Sequence, residues 1–404
     1  MAKRDNHSRV LIYSHDTFGL GHLRRCRAIA HALVARHSEM SVLILSGSPI
    51  IGSFDFRSRV DFIRIPGVIK LRNGEYTSLN LHIDTEETLA LRTSIIEHTA
   101  EIFDPDLFIV DKEPLGLRGE VKGTLEMMRS RGTPTVLGLR DVMDEPSLLA
   151  PEWERKNVLP ALENLYDHIW VYGLPQICDP LEGIDVPPTV LNKMVYTGYL
   201  RRKVPEAAWA TALPMDGRYI LVTPGGGGDG ELMVDWVLRA YEAETPPDVP
   251  ALIVLGPFMS AEAQAGFTER ASSLPAIEIL TFDNKIERLI HDAAGVVAMG
   301  GYNTFCEILS FDQRAVLIPR TRPRMEQYIR ATRASDIGLV KCLAADNGTP
   351  TQTMIEALRE LPNQPKPSEA MIPGMMDGLD EVDRLVQEAI HPGASASDPV
   401  RHTA

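Results

Sequence analysis

Short apolar runs alternate with helix-like stretches along the whole chain. In the first half the runs cover residues 9–14, 41–45, 60–65, 107–111, 135–139 and 168–172. In the second half they cover 219–223, 251–255, 277–280, 295–299 and 315–319. Each is rich in β-branched residues and followed by Gly, Pro or polar residues, which predicts strands. The runs are continuous and not alternating, as burial on both faces requires. They therefore predict parallel sheets covered by helices. Residues 197–217, with Arg201-Arg-Lys-Val-Pro and Leu213-Pro-Met-Asp-Gly, read as a linker. The expected division is an N-terminal unit over 1–198 and a second unit over 199–375. A helix over 376–390 is expected to cross back to the first unit. The tail, 391–404, is rich in Pro, Gly, Ala and Ser and is expected to be disordered. Both units open on strand, Gly-rich turn and helix. The expected fold is α/β, two Rossmann-like units facing each other across a cleft.

A length of 404 residues suits two such units. With 41 Lys and Arg against 55 Asp and Glu, the net charge is −14. That balance argues against a nucleic-acid binder, whose affinity rests on many cations against phosphate. Any phosphate site must then be local, built from backbone N–H groups and a few arginines. The four cysteines, Cys26, Cys178, Cys306 and Cys342, have neither zinc-site nor disulfide-framework spacing. The histidines show no metal-binding pair, so no metal or other cofactor is expected. No apolar run reaches the roughly 18 residues of a spanning helix. A cytoplasmic protein is expected, with peripheral docking on a membrane surface left open.

Four segments can carry chemistry. In Tyr13-Ser-His-Asp-Thr-Phe-Gly19-Leu-Gly21-His22-Leu-Arg24-Arg25, a strand turns into a helix. Gly19 and Gly21 allow close approach of a ligand, and the helix N-terminus favours an anion. Arg24, Arg25 and Arg27 oppose the helix dipole unless a phosphate sits beside them. Gly19, Gly21 and Arg25 are thus candidates for the acceptor and phosphate side. An ordinary turn with solvated arginines is the alternative. His22 is the candidate base, kept neutral by the helix N-terminus; a capping histidine is its alternative. In the second segment Gly225, Gly226, Gly227 and Gly228 join a strand to a helix, without the Gly-Lys-Ser/Thr of a P-loop. They read as a backbone cradle for phosphate. The third segment runs from Gly300 and Gly301 through Asn303 and Thr304 to Glu307. Asn303 or Thr304 would cap the helix, and Glu307 would accept hydrogen bonds from ribose hydroxyls. The fourth follows the next strand, where Glu326 and Gln327 could hold sugar hydroxyls among Arg320, Arg322 and Arg324. Asp111-Lys-Glu113 and Arg140-Asp141 end strands, and structural and cleft-lining roles are equally open for them.

These segments together resemble the MurG-like glycosyltransferases of family 28, which have the GT-B fold. The likeness is strongest in the first 35 residues and over about 281–340. It implies a nucleotide diphosphate sugar, UDP-sugar first, held by the second unit and an acceptor held by the first. It implies an inverting transfer without metal. Glu307 would hold the ribose, Phe282 and its neighbours the base, and Glu326 and Gln327 the sugar. The family has two glutamines there, so the first position departs. His22 would deprotonate the acceptor hydroxyl, which could belong to a lipid-linked molecule or a small glycan. Residues 67–84 and 112–123 are the expected acceptor-side loops. Gly19-x-Gly-His22-x-x-Arg25-Cys26 also resembles the nucleotide-sugar hydrolases of the PseG type, in which water is the acceptor. A nucleotide-sugar-binding regulator without turnover is the third possibility.

Overall fold

The computed structural model describes residues 7–15, 21–70, 76–210, 212–215, 217–283, 285–344 and 349–392. Gly19 and the tail from 393 onward lie outside the described residues. The chain folds into two parallel sheets. The first contains β1 (Ser8–Ser14), β2 (Met40–Ser46) and β3 (Val60–Arg64). After a small antiparallel hairpin, β4 (Val68–Lys70) and β5 (Tyr76–Ser78), it continues with β6 (Leu107–Asp111), β7 (Thr135–Arg140), β8 (His168–Tyr172) and β9 (Met194–Tyr196). Its strand order is β3-β2-β1-β6-β7-β8-β9. The second sheet contains β10 (Ile220–Thr223), β11 (Ala251–Val254), β12 (Ile277–Leu280), β13 (Gly295–Ala298), β14 (Ala315–Leu317) and β15 (Lys341–Cys342). Its order is β12-β11-β10-β13-β14-β15.

Every apolar run found in the sequence is a strand; the central ones are buried on both faces, whereas the edge strands β3 and β12 are partly exposed. β6, β10, β11 and β13 are buried at every position. Each sheet reverses its order beside its first strand, between β1 and β6 and between β10 and β13. In open parallel sheets, ligands bind beyond the carboxyl ends at that switch point. The helices Gly21–Arg36 and Tyr302–Ser310 start there.

The chain passes between the sheets twice, near Tyr199 and near Met375. The Tyr199 amide donates to the Met375 carbonyl at 2.7 Å, and the Gly378 amide donates to the Tyr199 carbonyl at 3.2 Å. The last described helix, Gly378–Ile390, lies against the helix Gly21–Arg36. Arg36 reaches the Leu379 carbonyl at 3.0 Å, and His37 lies 2.7 Å from Asp383. Gly198 sits in this crossing with φ +84°, and a Cβ there would lie 2.3 Å from the Gly374 carbonyl oxygen. Both the left-handed backbone and the close approach require glycine. Gly198→Ala is expected to cost roughly 1–3 kcal/mol, read as a lower melting temperature.

Candidate functional site

One cleft of about 1280 Å³ lies between the carboxyl ends of the two sheets. On the side of the second sheet, residues 225–228 turn between β10 and the helix Glu231–Tyr241. Gly225 and Gly227 have φ of +78° and +89°. A Cβ on Gly227 would lie 2.5 Å from the Leu255 carbonyl oxygen, so packing against the β11 loop also demands glycine. Beside this turn, Gly301 caps the helix Tyr302–Ser310 without any side-chain cap. Its first N–H groups have no partners within the helix and open onto the cleft at Gly301, Tyr302, Asn303 and Thr304. Such a helix end attracts anions.

On the side of the first sheet, His22 lies in the first turn of the helix Gly21–Arg36, with one-fifth of its side chain exposed. Its Nδ1 is 2.5 Å from Asp111 Oδ2. β1 and β6 are neighbours in register, so the end of β6 brings Asp111 beside this helix. The buried Arg25 grips Asp111 from the other side, Nε to Oδ1 and Nη2 to Oδ2, both at 2.7 Å. Arg25 and His22 hold the Asp111 carboxyl well below the usual carboxylate range despite its burial. An ionised Asp111 fixes the His22 tautomer, with Nδ1–H donating and Nε2 left as a lone-pair acceptor. Burial lowers the His22 pKa to about 4, against the opposing pull of Asp111. The imidazole is therefore neutral near pH 7.

The two helix starts touch. Asn303 Nδ2 donates to the Gly21 carbonyl at 2.9 Å, and Asn303 Oδ1 accepts from Arg202 Nη2 at 2.7 Å. Along the other wall of the cleft, the segment after β7 meets the helix Glu326–Asp336. Arg140 pairs with Glu326, and the Met325 amide donates to Asp144 at 2.9 Å. The fully buried Arg330 donates to Asp141 at 2.7 and 2.6 Å and to the Gly300 carbonyl at 3.0 Å.

Residues 232–380 match the glycosyltransferase family 28 C-terminal domain. The second half of the chain is thus similar to that glycosyltransferase domain. An uncharacterized glycosyltransferase of Methanosarcina acetivorans is 22% identical over 407 residues, covering 93% of this chain and 97% of that one. Among solved structures, MurG of Acinetobacter baumannii is 13% identical with a TM-score of 0.57, covering 94% of this chain and 99% of its own. A UDP-N-acetylglucosamine 2-epimerase is 11% identical with a TM-score of 0.62, covering 99% and 100%. At such identities the likeness is one of fold, and that fold is GT-B.

The structure brings Gly21, His22, residues 225–228, Phe282, Gly301, Asn303, Thr304, Glu326 and Gln327 to the cleft. Several side chains of the expected site are engaged differently from the sequence reading. Arg25, expected on the phosphate side, lies buried against Asp111. Arg24, from the helix Gly21–Arg36, takes Glu307 Oε1 at 2.5 Å and Glu287 Oε1 at 2.8 Å. Glu307 is 1% exposed behind this contact, and burial pushes its carboxyl up to about 7. Its Oε2 is buried without a partner among the described residues. Asn303 and Thr304 do not cap the helix, because Gly301 stands in the cap position and Asn303 reaches across to Gly21 instead. Glu326 is held ionised by Arg140 above all, with Lys112, Arg330 and Arg320 adding to the effect. Gln327 Oε1 accepts from the Arg320 amide at 3.3 Å. Gly300 shapes the turn with φ +78°.

Sequence reasoning missed His15, which lines the cleft beside His22, with ring centroids 5.7 Å apart. Its Nδ1 is 3.2 Å from the Tyr13 hydroxyl, which donates to Glu120 at 2.5 Å. Arg92 holds Glu120 through two bonds of 2.6 Å. Burial lowers the His15 pKa to about 3, so it too is neutral. The histidine was visible in the sequence, but its chain of partners is assembled from three separate parts of the chain: the end of β1, the helix Thr85–Phe103 and the turn at Glu120. Among the described residues no helix is long and apolar enough to cross a membrane, and no group of three His, Cys, Asp or Glu could hold a metal ion.

Proposed function

We propose that the protein is a metal-independent, inverting glycosyltransferase acting in the cytoplasm. It moves a sugar from a nucleotide diphosphate sugar, UDP-sugar first, to the hydroxyl of an acceptor, lipid-linked or a small glycan. The observation that carries this reading is the His22–Asp111 pair, set in the same cleft as the uncapped start of the helix Tyr302–Ser310. The donor diphosphate rests on that helix start and on the turn 225–228. Preorganised N–H groups there stabilise the charge that develops on the leaving diphosphate. His22 Nε2 takes the proton of the acceptor hydroxyl as its oxygen attacks the anomeric carbon. The bond from that carbon to the diphosphate breaks on the opposite face, so the configuration inverts. Phe282 lies beside the base. Glu326 and Gln327 meet the sugar hydroxyls, and Glu307 meets the ribose through its unpartnered Oε2 once Arg24 gives way.

A panel of UDP-, GDP- and CMP-sugars tests this reading, with released nucleotide and thermal shift as readouts. UDP is expected to raise the melting temperature, since it binds only the folded chain. Nucleotide release is expected only when an acceptor is added. Release into water alone would replace transfer by hydrolysis. Binding without turnover would make the chain a regulator, and no shift with any nucleotide would end the proposal.

A further inference from the structure

We propose that the acceptor carries its own anionic group, a phosphate or carboxylate close to the hydroxyl that is glycosylated, and that Lys112 and Arg140 hold it. This rests on the transferase reading and names the class of its second substrate. The starting observation is where charge lies in the cleft. On the side of the second sheet, where the donor diphosphate would rest, two arginines face three carboxylates. On the side of the first sheet, Lys112, Arg118, Arg140, Arg155 and Lys156 share the cleft with Glu113 and Glu152, while Arg140 also pairs with Glu326 across the cleft and Arg118 with Glu86 outside it. The cationic surplus therefore lies on the acceptor side, in a chain whose net charge is −14. A donor diphosphate cradled by N–H groups does not account for it.

Lys112 and Arg140 are the cations of this set that lie deep in the cleft. Lys112 follows Asp111 with φ +68°, a conformation that side-chain-bearing residues seldom adopt. Its amide is anchored to the Gly138 carbonyl at 2.8 Å. Its side chain is 12% exposed, and its nearest recorded carboxylate, on Glu113, is 3.6 Å away, beyond a hydrogen bond. Glu113 is itself engaged by Lys156 at 3.0 Å. Arg140 is 11% exposed; its Nη2 is taken by Glu326, but its Nε is buried without a partner among the described residues. Buried donors are ordinarily satisfied, and charged ones left unpaired are costly. An anion in the cleft would supply acceptors to both. Because Lys112 adjoins the residue that orients His22, the anion would sit beside the hydroxyl that His22 deprotonates. Two sources share this chemistry, a soluble sugar acid or sugar phosphate and a phosphoinositol-type headgroup.

The test is calorimetry on the full chain saturated with UDP. The probes are inorganic phosphate, glucose 6-phosphate, glucuronate and glucose, with phosphatidylinositol vesicles against phosphatidylcholine vesicles as the lipid arm. At least one anionic probe is expected to bind ten-fold or more tighter than its neutral counterpart, less tightly as salt rises. Lys112→Met is expected to remove that preference while UDP affinity stays within about three-fold, and Lys112→Arg to restore it. A preference seen only with vesicles assigns the anion to a lipid, and one seen with soluble probes assigns it to a free acceptor; either supports the proposal. Equal binding of glucose and the anions, or an unchanged preference in Lys112→Met, overturns it and leaves the transferase reading intact. Failure of UDP itself to bind overturns the donor reading, and this proposal with it.

Discussion

Replacing His22 by alanine is expected to lower turnover by roughly 10²–10⁴-fold, the usual contribution of a positioned general base. The affinity for UDP is expected to stay within a few fold, because the proposed donor contacts belong to the other sheet. Asp111→Asn is expected to lose much of the same rate. An amide offers no charge to fix the imidazole tautomer, and Arg25 would be left buried without its carboxylate. The pH profile separates a base from a merely structural histidine. Activity needs neutral His22, and its pKa lies near 4 instead of the ordinary 6.5. Protonation on acidification removes the base. The acid limb of kcat/KM is therefore expected to fall through about pH 4, with activity retained at pH 5–6. The measurement is the rate of UDP release against pH with acceptor present. Undiminished turnover in His22→Ala would take the residue out of the mechanism.

The fold was legible because burial on both faces leaves a mark on contiguous residues. What escaped was short or distant. β9 and β15 are edge strands of three and two residues, and the β4–β5 hairpin has three on each side. None is long enough to show a period. In the site, glycines and His22 announced themselves by spacing, whereas side-chain partnerships did not. Arg24 and Arg25 read as phosphate ligands because cations near a helix N-terminus need a counter-charge. The need was real, but the folded chain supplies it from within. Asp111 lies 86 residues from Arg25, and Glu307 lies 283 from Arg24. No local pattern encodes either distance. The run at 225–228 carried a mixed signal for the same reason: Gly227 answers a carbonyl on the neighbouring β11 loop as much as any ligand.

The largest expected loss of stability follows from the pair least visible in the sequence. Asp141 and Arg330 are both 0% exposed and lie 189 residues apart. Arg330→Met would strand the Asp141 carboxylate in the interior, with the Tyr199 hydroxyl at 2.9 Å and the Val142 amide at 2.8 Å as its remaining donors. Removing one partner of a buried pair costs about 3–5 kcal/mol, whereas replacing both with apolar groups is often close to neutral. The single variant should therefore melt several degrees lower, and Asp141→Leu combined with Arg330→Met should recover most of that loss. Donor binding is expected to behave differently. Arg330 also donates to the Gly300 carbonyl, in the turn that opens the helix proposed to carry the diphosphate. The double variant keeps that turn untethered, so UDP affinity should remain reduced after the melting temperature has recovered. Recovery of both together would mean that Arg330 serves only the packing of the two sheets against each other. Recovery of stability alone would tie the setting of the diphosphate cradle to the contact between the two halves of the chain.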